Sequence, residues 1–226
     1  MKAALRYSLL LSLFLLTSAV STAAPTVKLK HLKITQFHGK YIQQIDYPQI
    51  CGLPDAELER RINAMLANGS WPKESVTASD IEPGERLTAE VSCTVYLNEQ
   101  GLLSIEYRGL QVLSKKGKMI SAYPSNLINS HTIDLNTGKT YAWIDLFKTG
   151  SHYEAIISKC LKKECEGYDP DESSASKRSF YLTPKSLIVI FPNACHAMQG
   201  AEVSIPLKDL ASIASPQGPI ARLLKP

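Results

Sequence analysis

The sequence predicts an α+β fold: a largely antiparallel sheet built from hairpins, with an N-terminal strand–helix unit and one inserted helix. Three observations lead there. Short runs alternate apolar and polar residues, the period-two pattern of strands with one face in water. Pairs of such runs flank turn signals at Asn98-Glu99-Gln100-Gly101, Asn136-Thr137-Gly138 and Pro184-Lys185-Ser186. Two segments, after Asp55 and after Ser151, instead space apolar residues as a helix does, behind a residue suited to capping. A strand and a helix followed by hairpins with one helix among them is the α+β order.

The chain of 226 residues opens with Lys2 and Arg6, an apolar run from Leu9 to Leu16, and small residues up to Ala24. This is the layout of a secretory signal peptide over residues 1–23, with cleavage near Ala23. The apolar run is too short to span a bilayer, which takes about 20 apolar residues. No second such run follows, so the expectation is a periplasmic or secreted chain with no membrane span after cleavage.

Val27 to Tyr47 reads as strand, and Pro48 to Pro54 as a turn. Asp55 caps a helix whose Leu58, Ile62, Met65 and Leu66 share one face, and Asn68-Gly69 ends it. Residues 70–86 read as a polar loop closing a unit over 24–86. A hairpin-rich unit over 87–226 follows, either as a second subdomain or continuous with the first. Its expected strands are Leu87–Leu97, Leu102–Val112, Ser130–Leu135, Lys139–Ile144, Phe180–Leu182, Leu187–Phe191 and Val203–Pro206. Asp145 begins a helical turn, the inserted helix carries Tyr153, Ile156, Ile157 and Leu161, and Leu207 to Ile213 begins a short helix. Residues 164–178, ECEGYDPDESSASKR, are polar and acidic and belong on the surface.

The formal charge of +4 includes Lys2 and Arg6, which leaves 4 − 2 = +2 after cleavage. Basic and acidic residues alternate, and no Lys/Arg cluster is interleaved with aromatics, which disfavours nucleic-acid binding. The five cysteines, at 51, 93, 160, 165 and 195, all lie beyond the signal region. Export favours disulfides, and an odd count leaves one thiol over. Cys160 and Cys165 are close enough to close a small loop. Cys51 and Cys93 end two predicted strands and could join if those strands are neighbours. Cys195 would then be left over, though other pairings stay open.

Cys195 stands beside His196, but adjacent residues of an extended segment point to opposite faces, so they make a poor nucleophile–base pair. A metal set drawn from Cys160, Cys165, Cys195 and His196 lacks the tight spacing of zinc knuckles. Glu164, Glu166, Asp169, Asp171 and Glu172 lack the glycine and terminal Glu of a calcium loop. No catalytic signature for serine hydrolysis, zinc proteolysis or phosphate binding is present. No cofactor is expected.

Several segments together resemble the RsiV-like family of exported bacterial domains. They are Tyr47-Pro48-Gln49-Ile50-Cys51-Gly52-Leu53 with a helix containing Ile62-Asn63, Leu102-Leu103-Ser104-Ile105, and His131-Thr132-Ile133-Asp134-Leu135-Asn136-Thr137-Gly138-Lys139 with Asp145-Leu146-Phe147. Phe180-Tyr181-Leu182-Thr183 and Gly200-Ala201-Glu202-Val203-Ser204-Ile205-Pro206 complete the set, which covers about residues 41–210. The family includes the outer portions of anti-sigma factors that bind lysozyme, and ectodomains attached to peptidoglycan-modifying enzymes. The resemblance implies an envelope-side binding module and gives Cys195 and His196 packing roles. The leading expectation is therefore an exported, non-enzymatic binding protein that recognises a lysozyme-like protein or a peptidoglycan fragment. The alternative is an envelope hydrolase acting on cell-wall or ester substrates. Within the loop, Tyr168, Asp169, Asp171 and Glu172 are the expected partner-binding residues: the tyrosine anchors and the acids steer a basic partner.

Overall fold

A computed structural model describes residues 25–72, 76–120, 125–164, 178–191 and 201–225. Thr26–Gln36 (β1) and Tyr41–Cys51 (β2) pair antiparallel, reversing through Phe37–Gly39. Pro48 lies within β2, opposite Leu29, rather than in the turn expected there. Its missing N–H is tolerated because the next strand, Glu85–Glu99 (β3), pairs with β2 only as far as Ile45, so this stretch of β2 has an open edge.

The helix Ala56–Ala67 (α1) closes that edge. Asp55 caps it, accepting from the N–H of Glu57 at 2.9 Å and of Leu58 at 3.0 Å. The Asn63 amide then brackets Ile50, accepting from its N–H and donating to its carbonyl, each at 2.8 Å. Glu59 accepts from the N–H groups of Gly52 and Leu53 at 2.7 and 2.9 Å. Side chains of α1 thus satisfy the backbone that no strand reaches.

Glu85–Glu99 (β3) runs parallel to β2 and turns at Gln100-Gly101 into Leu102–Lys115 (β4). Both turn residues have positive φ, 51° and 69°, as the expected tight hairpin requires. Lys118–Met119 (β5) pairs with the end of β4. Ser125–Asp134 (β6) pairs with β4 over Leu102–Gln111, completing a six-stranded sheet. Because β2 and β3 share this sheet, it is continuous across the 86/87 boundary.

The second expected hairpin is cut short. Residues 139–144 give one bridge, Ile133 to Thr140, and then a 3-10 turn at Trp143–Leu146. Lys139 and Tyr141 do bond to the free edge of β6, Asp134 N–H donating to the Lys139 carbonyl and Tyr141 N–H to the Thr132 carbonyl, each at 2.8 Å, before the 3-10 turn leads the chain away. The turn itself is present, with Gly138 N–H bonded to the Asp134 carbonyl at 2.7 Å.

Tyr153–Glu164 (α2) is the inserted helix. Ser179–Leu182 (β7), Ser186–Phe191 (β8) and Ala201–Pro206 (β9) make a separate antiparallel sheet. Leu207–Leu210 is a 3-10 turn, and Pro219–Leu223 (α3) is a short helix that the sequence pattern did not predict.

Two cores result. Ile45, Ile62, Leu66, Val91, Ile105, Tyr107 and Ile133 pack with α1 on one face of the large sheet. Leu97, Leu102, Leu146, Ile157, Leu182, Val189 and Ile205 pack between that sheet's other face, α2 and the small sheet. A β-bulge at Tyr96 lets β3 serve both cores: Val95 pairs with Ile105 but Leu97 with Ser104. The extra residue reverses the alternation, so Val95 faces the first core and Leu97 the second.

Candidate functional site

Residues 102–107 of β4 are all buried, because the small sheet covers the face that α1 does not. Polar side chains join the layers. The Ser104 and Thr132 hydroxyls meet at 2.8 Å, and Ser104 Oγ accepts from Leu182 N–H at 2.9 Å. Ser130 Oγ contacts Ser179 Oγ and donates to the Phe180 carbonyl, both at 2.6 Å. The cover ends beyond Glu106, and the face emerges at Arg108 and Leu110.

There an open groove of about 700 Å³ crosses the large sheet. His31 and Asp46 line one side, Glu90 and Ser92 the floor, and Arg108, Asn126 and Ile128 the other side. His31 Nδ1 lies 3.0 Å from Asp46 Oδ1, and Gln44 donates to Glu90 at 3.4 Å. Ser92 Oγ donates to the Arg108 carbonyl at 3.0 Å.

At its inner end Arg108 bridges two strands of different sheets. It donates through Nη2 to Glu106 Oε1 at 2.6 Å and through Nε at 3.2 Å, and it also pairs with Glu202 of β9. Glu106 is 3 % exposed, and the guanidinium is its paired cation. Tyr181 donates to Glu202 at 2.9 Å, and Tyr96, the bulge residue, donates to Glu106 at 3.3 Å. The two rings stack with centroids 3.9 Å apart. Burial is the main cause that pushes both phenols above their ordinary range, so both remain donors at neutral pH.

The groove is locally acidic. Of the lining residues Asp46 and Glu90 stand against Arg108, a formal sum of −2 + 1 = −1, and Glu106 and Glu202 lie behind Arg108 as its ion-pair partners. Such a surface offers hydrogen-bond acceptors on rigid strands and an attractive field for a cationic ligand. Glu106 and Glu202 meet through Arg108 across two sheets.

The expected Cys51–Cys93 bridge is not formed, and both residues are thiols. The register explains it. Ile45 lies beside Val91, which puts Cys93 level with Tyr47 and four residues from Cys51. At 3.3 Å per residue that is roughly 13 Å, far beyond disulfide reach. Burial, with smaller contributions from Asp46 and Glu106, pushes the Cys93 thiol up to about 12. Cys93 should therefore resist a thiolate-directed reagent at mildly alkaline pH until the protein unfolds. Mass-spectrometric mapping of sites alkylated under native conditions checks this, and modification of Cys93 at the rate of the half-buried Cys51 would contradict it.

Cys160 is half-buried on α2 against the second core. Cys165, Cys195 and His196 lie outside the described residues, as do Tyr168, Asp169, Asp171 and Glu172. Among the described residues no helix is long and apolar enough to cross a membrane.

The residues of the family-like segments have structural work here. Asp134 accepts from Asn136 N–H at 2.8 Å, from Tyr141 OH at 3.0 Å and from Arg222 Nη2 at 2.5 Å. Asp145 accepts from Ala142 N–H at 2.8 Å and from Lys139 at 2.7 Å, fixing the 3-10 turn that places Leu146 and Phe147 in the second core.

No protein-family model and no curated protein matches the sequence. Solved structures do match the fold. A DUF3298 family member from Bacteroides fragilis superposes with a TM-score of 0.63 at 11 % identity, over 90 % of this chain and 98 % of that one. A DUF3298 family protein from Pseudomonas aeruginosa superposes with a TM-score of 0.55 at 15 % identity, over 91 % of this chain and 99 % of that one. The chain thus shares, over nearly its whole length, the fold of structures from the DUF3298 family.

Proposed function

We propose that this chain is an exported, non-enzymatic binding protein of the cell envelope, and that the groove over the large sheet is its docking surface. The acidity of the groove carries the reading: it concentrates carboxylates on a chain whose overall formal charge is positive. A strongly basic protein of the lysozyme kind suits it, since complementary charge speeds encounter and fixes register. The resemblance to the RsiV-like family supports the same ligand class. The signal-like residues 1–23 support export to the periplasm or medium. In that compartment a Cys160–Cys165 bridge would close the short loop after α2. The acidic segment with Tyr168, Asp169, Asp171 and Glu172 would add to the steering field.

Isothermal titration of the purified protein against lysozymes at low salt tests the reading. The double variant Asp46→Asn/Glu90→Gln should bind at least about tenfold more weakly, a loss of about 1.4 kcal/mol. Raising the salt should narrow the gap, because exposed charges are screened beyond about 8 Å at physiological ionic strength. Equal affinity of parent and variant at low salt would remove the groove from the reading. Binding of peptidoglycan fragments alone would move the ligand from protein to glycan. Turnover of peptidoglycan or ester substrates would favour the hydrolase alternative.

A further inference from the structure

A second concavity, of about 410 Å³, lies at the end of the large sheet where three chain reversals converge. It is lined by the β1–β2 turn at His38 and Lys40, by Gly84 and Arg86 at the start of β3, and by the Lys116-Gly117 turn after β4. The Lys40 carbonyl accepts from Leu87 N–H at 2.8 Å, which ties the first turn to the second. The size is within the range of small-ligand sites, about 300–1,000 Å³.

Its charge is one-sided. Lys40, Arg86 and Lys116 have no carboxylate partner among the described residues, and the Lys40 ammonium donates one bond to the Ile81 carbonyl at 3.2 Å. The acid in the lining, Glu85, is already engaged: one oxygen takes Lys115 at 3.4 Å and the other takes Glu82 N–H at 3.1 Å. Three like charges held around one hollow repel each other unless an anion sits between them.

Tight reversals shape the hollow. Phe37, His38 and Lys116 all have positive φ, 51°, 55° and 51°. Among the described non-glycine residues only Gln100 shares that conformation, in the β3–β4 turn. At Lys116-Gly117, as at Gln100-Gly101, the left-handed pair is what a two-residue hairpin requires, so these reversals shape the hollow without themselves pointing to a ligand.

We propose that this pocket binds a phosphate group, with Arg86 as the forked donor and Lys40 and Lys116 as point charges. A planar guanidinium matches two phosphate oxygens, and ammonium groups neutralise the remaining charge. The phosphate can belong to a soluble ligand or to a lipid headgroup, because the chemistry of recognition is shared. The site is separate from the acidic groove and does not depend on that reading.

The test is a nuclear magnetic resonance titration of the purified protein with inorganic pyrophosphate at constant ionic strength, beside flotation with vesicles. The vesicles contain phosphatidylglycerol, against phosphatidylcholine alone. Saturable amide shifts confined to residues 37–40, 84–86 and 114–117 are expected with pyrophosphate. Arg86→Gln/Lys116→Asn should weaken binding by at least about tenfold. Asparagine suits position 116 because it tolerates positive φ, and an unchanged melting temperature confirms the fold. Binding in solution assigns the site to a soluble phosphate; retention on the anionic vesicles alone, lost in the variant, assigns it to a headgroup. Failure in both arms, or equal binding by parent and variant, overturns the proposal.

Discussion

Gly109→Ala should cost about 3 kcal/mol of stability, near the top of what overpacking a folded interior produces. A Cβ built on Gly109 would meet the Glu90 carbonyl oxygen at 2.2 Å and the Val91 Cα and Cγ2 at 2.9 Å. Two of those atoms are backbone of β3, the strand paired with β4 at this point, so no side-chain rotation can relieve the clash. β3 and β4 would have to part in the middle of the large sheet. Gly39→Ala is the control: its φ is 84°, but nothing lies within 4 Å of the new atom. That change meets only the left-handed backbone cost, about 1 kcal/mol. Urea unfolding followed by circular dichroism measures both. Similar midpoints for the two variants would show that β3 and β4 have slack the structure denies them. A second consequence follows from position. Gly109 lies between Arg108 and Leu110, so any Gly109→Ala protein that folds should also have a disturbed groove.

How far the sequence foretold this arrangement depends on the range of the interactions. The Asp55 cap, the Gln100-Gly101 turn and the helical spacing of Leu58, Ile62 and Leu66 act within a few residues, and all were legible. Pro48 misled because a proline reads as a strand breaker unless one knows that β3 stops pairing at Ile45. Residues 139–144 misled in part, since they pair with β6 only up to Tyr141 before the Trp143–Leu146 turn leads the chain away. The Tyr96 bulge also left no mark, because a register shift belongs to a pair of strands and not to either one. The candidate site was harder still. Ser92 and Glu90 alternate visibly with Val91 and Cys93, so a polar face on β3 could be read. Arg108 becomes a bridge only because Glu202 arrives from another sheet, 94 residues on. Local acidity and loop length around Tyr168 are, by contrast, features that a single sequence displays directly.

The remaining large effect is expected at Asp134, which joins the ends of the described structure. Its carboxylate, 6 % exposed in the side chain, holds the 136–138 turn through Asn136 N–H and clamps α3 through Arg222. Arg222 also reaches the carbonyls of Gln100 and Gly101 at 3.5 and 3.4 Å, so the same contact latches α3 onto the β3–β4 turn. Asp134→Ala takes the charged acceptor from a guanidinium, a phenol and the Asn136 N–H together and should cost about 3 kcal/mol at neutral pH. Arg222→Ala should cost a similar amount, because it leaves a buried carboxylate without its cation. The double variant should be much less destabilised than the sum, a coupling of about 2 kcal/mol, since the two residues act as one unit. The pH dependence gives an independent check. Burial by itself raises the Asp134 carboxyl, but Arg222, Asn136 N–H and Tyr141 OH together hold it below its ordinary value. A carboxyl depressed in the folded state adds stability above its unfolded value, about 3.9, and loses it as pH falls through the lower folded value. Parent protein should therefore lose stability below about pH 4, with Asp134 contributing to the slope. In Asp134→Asn that contribution is absent, so the stability gap to the parent should shrink steadily as the pH is lowered. Urea midpoints measured from neutrality down to the acid limit of folding read this directly. A gap that stayed constant across that range would mean the carboxylate's charge contributes nothing to the latch, and that Asp134 acts through shape and neutral hydrogen bonds alone.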